Sequence, residues 1–167
     1  MTTAPAKRLP HPRPRRFAPA HKLRRRPPFF RPVPLRARRD GWSVQRQCLF
    51  LAELYRTGSV AAAARACGMS RMSAYRLRRR AGAESWAQAW DRVLAGPGTG
   101  KQGQPKPDWR KVTLRELQWR YAAGFLQPVV FRGVLVGLRR KADSSALLRL
   151  LRRCDARSRH SAAETAW

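Results

Sequence analysis

The chain has 167 residues, with 37 Lys or Arg against 9 Asp or Glu, which gives a formal net charge of +28 and a pI near 12.0. This length fits one compact domain or two very small ones, and the charge calls for an acidic partner, of which nucleic acid is the commonest. No apolar run approaches the ~20 residues of a membrane-spanning helix, no secretory leader is expected, and three widely spaced cysteines argue against a disulfide framework or a zinc finger.

Residues 1–40 hold 13 basic residues, one acid (Asp40) and 9 of the 13 prolines. Proline removes helix hydrogen bonds and like charges repel, so this stretch reads as a disordered basic arm that binds phosphates without sequence preference. A merely solubilising tail, or a stretch upstream of the true start site, is the alternative. The other 127 residues carry 24 basic and 8 acidic side chains and nearly all the apolar periodicity.

Residues 42–56 follow a helical pattern, with Ser43 as N-cap, Val44, Cys48, Leu51 and Tyr55 on one stripe, and Gly58 as the stop. Ser59 restarts a short alanine-rich helix, Cys67-Gly68-Met69 breaks it, and Ser70 caps a third helix running to about Arg80. Two short helices joined by a glycine turn, behind a longer one, form a helix-turn-helix pattern. The spacing supports this reading. Ala64 lies four residues before Gly68, where a larger side chain would obstruct the third helix, and Ala74 and Leu77 fall where that helix meets the second.

On the third helix, Met72, Tyr75, Arg76 and Arg79 lie opposite the Ser73, Ala74 and Leu77 face. Arginine pairs bidentately with guanine edges and apolar groups touch the thymine methyl, so Arg71, Met72, Tyr75 and Arg76 are the expected base contacts. Arg78, Arg79 and Arg80 are the expected phosphate contacts. An ordinary solvated helix face mixes both signs of charge, yet residues 58–83 contain six arginines and no acid.

Gly41-Trp42-Ser43, the run from Thr57 through Ala64-Arg65, and Gly68-Met69-Ser70 with Ser73-Ala74-Tyr75 and Leu77-Arg78 resemble a group of poorly characterised bacterial helix-turn-helix proteins. That module is also similar to the DNA-binding unit of transposases and phage terminase small subunits. The likeness continues through residues 83–90 and more weakly through Pro128-Val129-Val130-Phe131-Arg132-Gly133. It implies a DNA-binding fold and a bacterial cytoplasmic setting, without naming a target.

Residues 84–94 form a fourth amphipathic helix whose Trp86, Trp90 and Val93 are expected to pack on the first three. A Gly/Pro linker spans 96–108. Its Gly96-Pro97-Gly98-Thr99-Gly100-Lys101 echoes a phosphate loop, but Ala95 and Gln102 stand where that motif needs Gly and Ser/Thr, so ATP binding is rejected. Thr113 and Glu116 read as a capping box opening a helix that Gly124 ends. Residues 129–131 and 134–136 flank Arg132-Gly133 as a short β-hairpin, and Asp143 or Ser144 caps a last amphipathic helix. This accessory unit, 109–157, is too small to bury much surface alone, and residues 158–167 read as a frayed tail.

His11, His21 and His160 fall in segments read as arm or tail, and the acids are scattered, so no catalytic site, metal or cofactor is expected. The expected fold is mainly α: a helix-turn-helix bundle (41–95), then a small helix–hairpin–helix unit, preceded by a disordered basic arm. The expected function is a bacterial transcriptional regulator of the nucleoid, reading the major groove of double-stranded DNA with residues 70–80. A homodimer would suit two half-sites, and no membrane or small-molecule ligand is called for. The alternatives are an RNA-binding, ribosome-associated protein and a phage-derived DNA-packaging protein.

Overall fold

The computed structural model of the chain describes residues 27–36, 38–95 and 109–164, with side chains as far as residue 159. Among these residues it is mainly helical, with one antiparallel hairpin. In chain order the elements are α1 (Val44–Thr57), α2 (Val60–Ala66), α3 (Arg71–Arg78), α4 (Glu84–Leu94), α5 (Leu114–Ala123), β1 (Phe125–Phe131), β2 (Val134–Lys141) and α6 (Ser144–Glu164). The 96–108 linker, with its phosphate-loop echo, lies outside the described residues.

Five of these six helices start where a hydroxyl or carboxylate side chain takes up an orphan backbone N–H group, and α4 follows Ala83 without one. Ser43, Ser59, Ser70 and Thr113 accept from Arg46, Ala62, Ser73 and Glu116 respectively. Asp143 rather than Ser144 opens α6, its Oδ1 accepting from Ala146 N at 3.1 Å. The reciprocal half of the capping box at Thr113 is replaced by an ion pair, because Glu116 turns to Arg120 one helical turn on.

Helices α1–α4 close around aromatic rings. Phe50 stacks on Trp90 with centroids 4.8 Å apart, Trp86 meets Trp90 edge-on at 5.3 Å, and all three are buried. A second, much smaller core joins Val112, Leu117 and Ala146, edged by Trp109 and Leu150, between α5 and α6.

The reading of residues 1–40 as one disordered arm does not hold at its end. Residues 1–26 lie outside the described residues, but residues 27–36 form an extended strap built into the fold. Phe30 and Val33 are buried in the main core. Gln47, fully buried on α1, accepts from Val33 N at 2.8 Å and donates to Val33 O at 3.2 Å. Phe30 and Leu126 exchange backbone hydrogen bonds at 2.9 and 2.8 Å, adding a bridge to the outer edge of β1. Gln127 Nε2 reaches Pro27 O at 2.6 Å, and Arg31 pairs with Asp143 and donates from its backbone to Ser85. Prolines forbid a helix here but suit an extended chain, whose backbone polar groups are met by buried glutamines.

Two further boundaries move. The expected frayed tail begins at residue 158, whereas α6 continues to Glu164 because no helix breaker stands in 158–164. The hairpin also starts earlier, at Phe125, where the strap supplies its second neighbour. Gly124 precedes it with φ +64°, and a Cβ there would lie 2.6 Å from the Lys141 carbonyl oxygen, so only glycine fits. Phe131 pairs with Val134 across a two-residue turn, Arg132 at φ 49° and Gly133 at φ 80°. Such turns favour Asn-Gly, and an arginine in this left-handed conformation costs about 1–2 kcal/mol.

Candidate nucleic-acid interface

The site is built from α2, α3 and the turn between them. At the end of α2, Met69 N donates to Ala64 O at 2.9 Å and Gly68 N to Arg65 O at 3.0 Å. Gly68 stands at φ +66°. This is the Schellman closure, in which a left-handed residue folds two N–H groups back onto the last turn. Ala64 therefore matters twice, through its small side chain and through the carbonyl that receives Met69. Ala63, Ala64, Ala74 and Leu77 are all buried in the main core.

The outward side of α3 presents Arg71, Met72 and Arg76, with Arg79 at its C-cap and Arg80 beyond. Met72 is 59% exposed, unusual for a large apolar side chain. Tyr75 and Arg78 are placed differently from the other five expected contacts. Tyr75 is half-buried against the Trp90 ring at 5.4 Å. Arg78 pairs with Asp91 on α4 at 2.6 Å, its guanidinium 5.7 Å from the centroid of Trp90. Arg71, Met72, Arg76, Arg79 and Arg80 thus form the open patch, while Tyr75 and Arg78 fasten α3 to α4.

Three acids that flank the helix-turn-helix residues are engaged, while Asp40 stands exposed in the turn before Trp42. Asp91 holds Arg78, Glu53 holds Arg56 at 2.6 Å, and Glu84 accepts from Gly82 N at 3.0 Å. The positive field of α3 is therefore not cancelled by a free neighbouring carboxylate of these three. Trp42 Nε1 donates to Ser73 Oγ at 2.7 Å, which ties the start of α1 to the middle of α3. Exposed Arg38 and Arg39 lie just before Trp42, with exposed Asp40 beside them. The sequence signal for them was available, as arginines adjoining a tryptophan N-cap region, but it was absorbed into the arm.

Cys48 and Cys67 are buried, and burial pushes both thiols up to about 12. They stay protonated and act as small apolar side chains. A cleft of about 790 Å³ separates the start of α4 from α5 and contains Arg31, Arg120, Glu116 and Asp143. Its two arginines are paired, Arg31 with Asp143 and Arg120 with Glu116. Burial, and then the charge of Arg120, hold Arg31 below its usual pKa, with Asp143 opposing. Among the described residues no group of three His, Cys, Asp or Glu is placed to hold a metal, and no helix is long and apolar enough to cross a membrane.

Comparison of the chain with protein-family models, curated proteins and solved structures finds no match.

Proposed function

We propose that this chain is a DNA-binding helix-turn-helix protein, a bacterial transcriptional regulator of the nucleoid that inserts α3 into the major groove. The observation that carries this reading is the arginine-rich, acid-free exterior of α3 and its C-terminal end. Arg71 and Arg76 share the open side of the helix with exposed Met72, Arg79 and Arg80 follow at its end, residues 58–83 hold no acid, and Asp91 and Glu84 are engaged. The Schellman turn supports it, since it joins α2 to α3 through four residues including a left-handed glycine, the short connection of a helix-turn-helix. The likeness of residues 41–90 to bacterial helix-turn-helix modules points the same way. Binding proceeds without chemistry: arginines release counterions from phosphates, and guanidinium and methionine groups discriminate base edges.

The test is a selection by the full chain on random duplex DNA with competing RNA, at about 0.15–0.2 M salt where nonspecific binding is weakened. An enriched motif supports a sequence-specific regulator. Preferential recovery of RNA overturns it in favour of an RNA-binding, ribosome-associated protein.

A packaging role, in which several copies hold DNA, is the second reading. Exposed Leu148 and Leu151 on α6 favour it, because they offer an apolar stripe for assembly. Duplex binding without a motif, together with a multimeric mass on DNA, is its signature.

A further inference from the structure

We infer that the β1–β2 hairpin is a second DNA-contacting element, whose tip enters the minor groove beside the site read by α3. This rests on the DNA-binding reading above and adds a surface that the helix-turn-helix unit does not supply. The hairpin buries Leu126 at its base but projects apolar residues into solvent near its tip: Phe131 is 61%, Val134 63% and Val136 59% exposed. Side chains of this kind do not stay outside for the hairpin's own stability, and they cluster at one end of it. Residues 125–141 contain four cations, Arg132, Arg139, Arg140 and Lys141, and no acid. Arg132 is the cation at the tip and the other three stand at the far end of the ribbon, opposite residues 125–127, so the apolar point with Arg132 suits a groove floor and its walls, and the base suits phosphates farther along. Minor-groove proteins place apolar wedges such as Phe between base steps in this way.

Three features of the backbone aim the tip. The register places Val129 opposite Gly137 and Val130 opposite Leu135, so Val136 is a bulge, which bends a ribbon and tightens its twist. Arg132 occupies the strained left-handed turn position with its guanidinium 5.3 Å from the Phe131 ring centroid, so charge and wedge are presented together. Strain of that kind points to a role for the side chain that bears it. The tip also lies on the correct side of the molecule. A Cβ at Gly133 would sit 3.5 Å from Cδ of Arg56, which is in the last turn of α1. The loop that follows, between α1 and α2, is the part of a three-helix reader that rests on the phosphate backbone. A protein partner for the same surface would need to be acidic and apolar, and duplex DNA answers the charge and the shape at once.

The experiment uses the full chain, a fluorescein-labelled duplex several helical turns long, and the variants Phe131→Ala and Arg132→Asn. Hydroxyl-radical cleavage reports sugar accessibility in the minor groove. The wild-type footprint is expected to extend past the α3 site into a flanking minor groove, and to contract in Phe131→Ala with about a tenfold loss of affinity, the scale of one stacking contact with a base. Arg132→Asn is expected to raise the melting temperature, because Asn accepts the turn, while lowering the slope of log affinity against log salt by about 0.9. Binding, footprint and salt slope unchanged in both variants overturn the inference and leave the α3 reading standing. Unchanged DNA binding with an altered mass in solution overturns it in favour of a protein contact. Failure of the wild-type chain to bind any duplex overturns the DNA reading itself.

Discussion

In α1–α4 the rings of Phe50, Trp86 and Trp90 are shut away from water. Beyond residue 109 the buried cluster shrinks to Val112, Leu117 and Ala146, while Phe131, Val134, Val136, Leu148 and Leu151 stand in solvent. Both regions have apolar residues at regular spacing, so periodicity alone does not decide what becomes core. A helix buries its stripe only where another element is present to cover it. The first region has four helices and the strap around one centre. The second has one helix pair and a ribbon, and leans on α1 and the strap for the rest.

Trp86→Ala is expected to break the larger core, at about 3–5 kcal/mol. Leu117→Ala is expected to cost about 2 kcal/mol, because the thin cluster around it can collapse. Denaturant unfolding of both variants checks the order, and equal losses would mean that the two cores contribute alike. The strap linking them is tested by Gln47→Leu, which strands the Val33 N–H and C=O in the core and is expected to cost about 1–3 kcal/mol.

Alkaline pH sharpens the contrast, because both raised thiols belong to the larger core. Their folded pKa of about 12 lies above the ordinary 9.0, so the folded chain holds these protons more tightly than the unfolded one. The resulting stability is complete below pH 9 and is lost as pH rises towards 12, at about 1.4 kcal/mol per pH unit for each thiol. Melting temperature measured from pH 8 upwards is expected to fall less steeply in Cys48→Ala. The smallest effect separates two arginines of one helix. Arg78→Ala is expected to lower stability by under about 1 kcal/mol, its partner Asp91 being 45% exposed. Arg76→Ala is expected to leave stability alone and to weaken discrimination at one base pair by about 1–3 kcal/mol.

Local chemistry made much of the fold legible. Ser43, Ser59, Ser70 and Thr113 each announced a helix start, and Gly68-Met69 announced the turn, because caps and left-handed residues act within a few positions. The strap was not legible, since Pro-rich sequence serves disorder and extended chain equally, and the choice fell to Gln47 and Leu126 at a distance. On α3, Arg71, Met72, Arg76 and Arg79 could be placed on an open surface from the helical period, whereas Arg80 is open because the helix has ended before it. Tyr75 and Arg78 could not be distinguished from them, because it is Trp90 and Asp91 of α4 that draw them in.

The strap also sets an order of assembly. Its hydrogen bonds to Gln127 and Asp143 close separations of 100 and 112 residues, whereas every contact among α1–α4 falls within residues 44–94. Long closures come slowly and local ones fast. On the ribosome Phe30 emerges well before Leu126 exists, so the four-helix centre can condense first with Phe30 seated in it. The hairpin then zips onto a backbone edge that has been waiting for it, so the strap, made before the helices, completes its contacts after them.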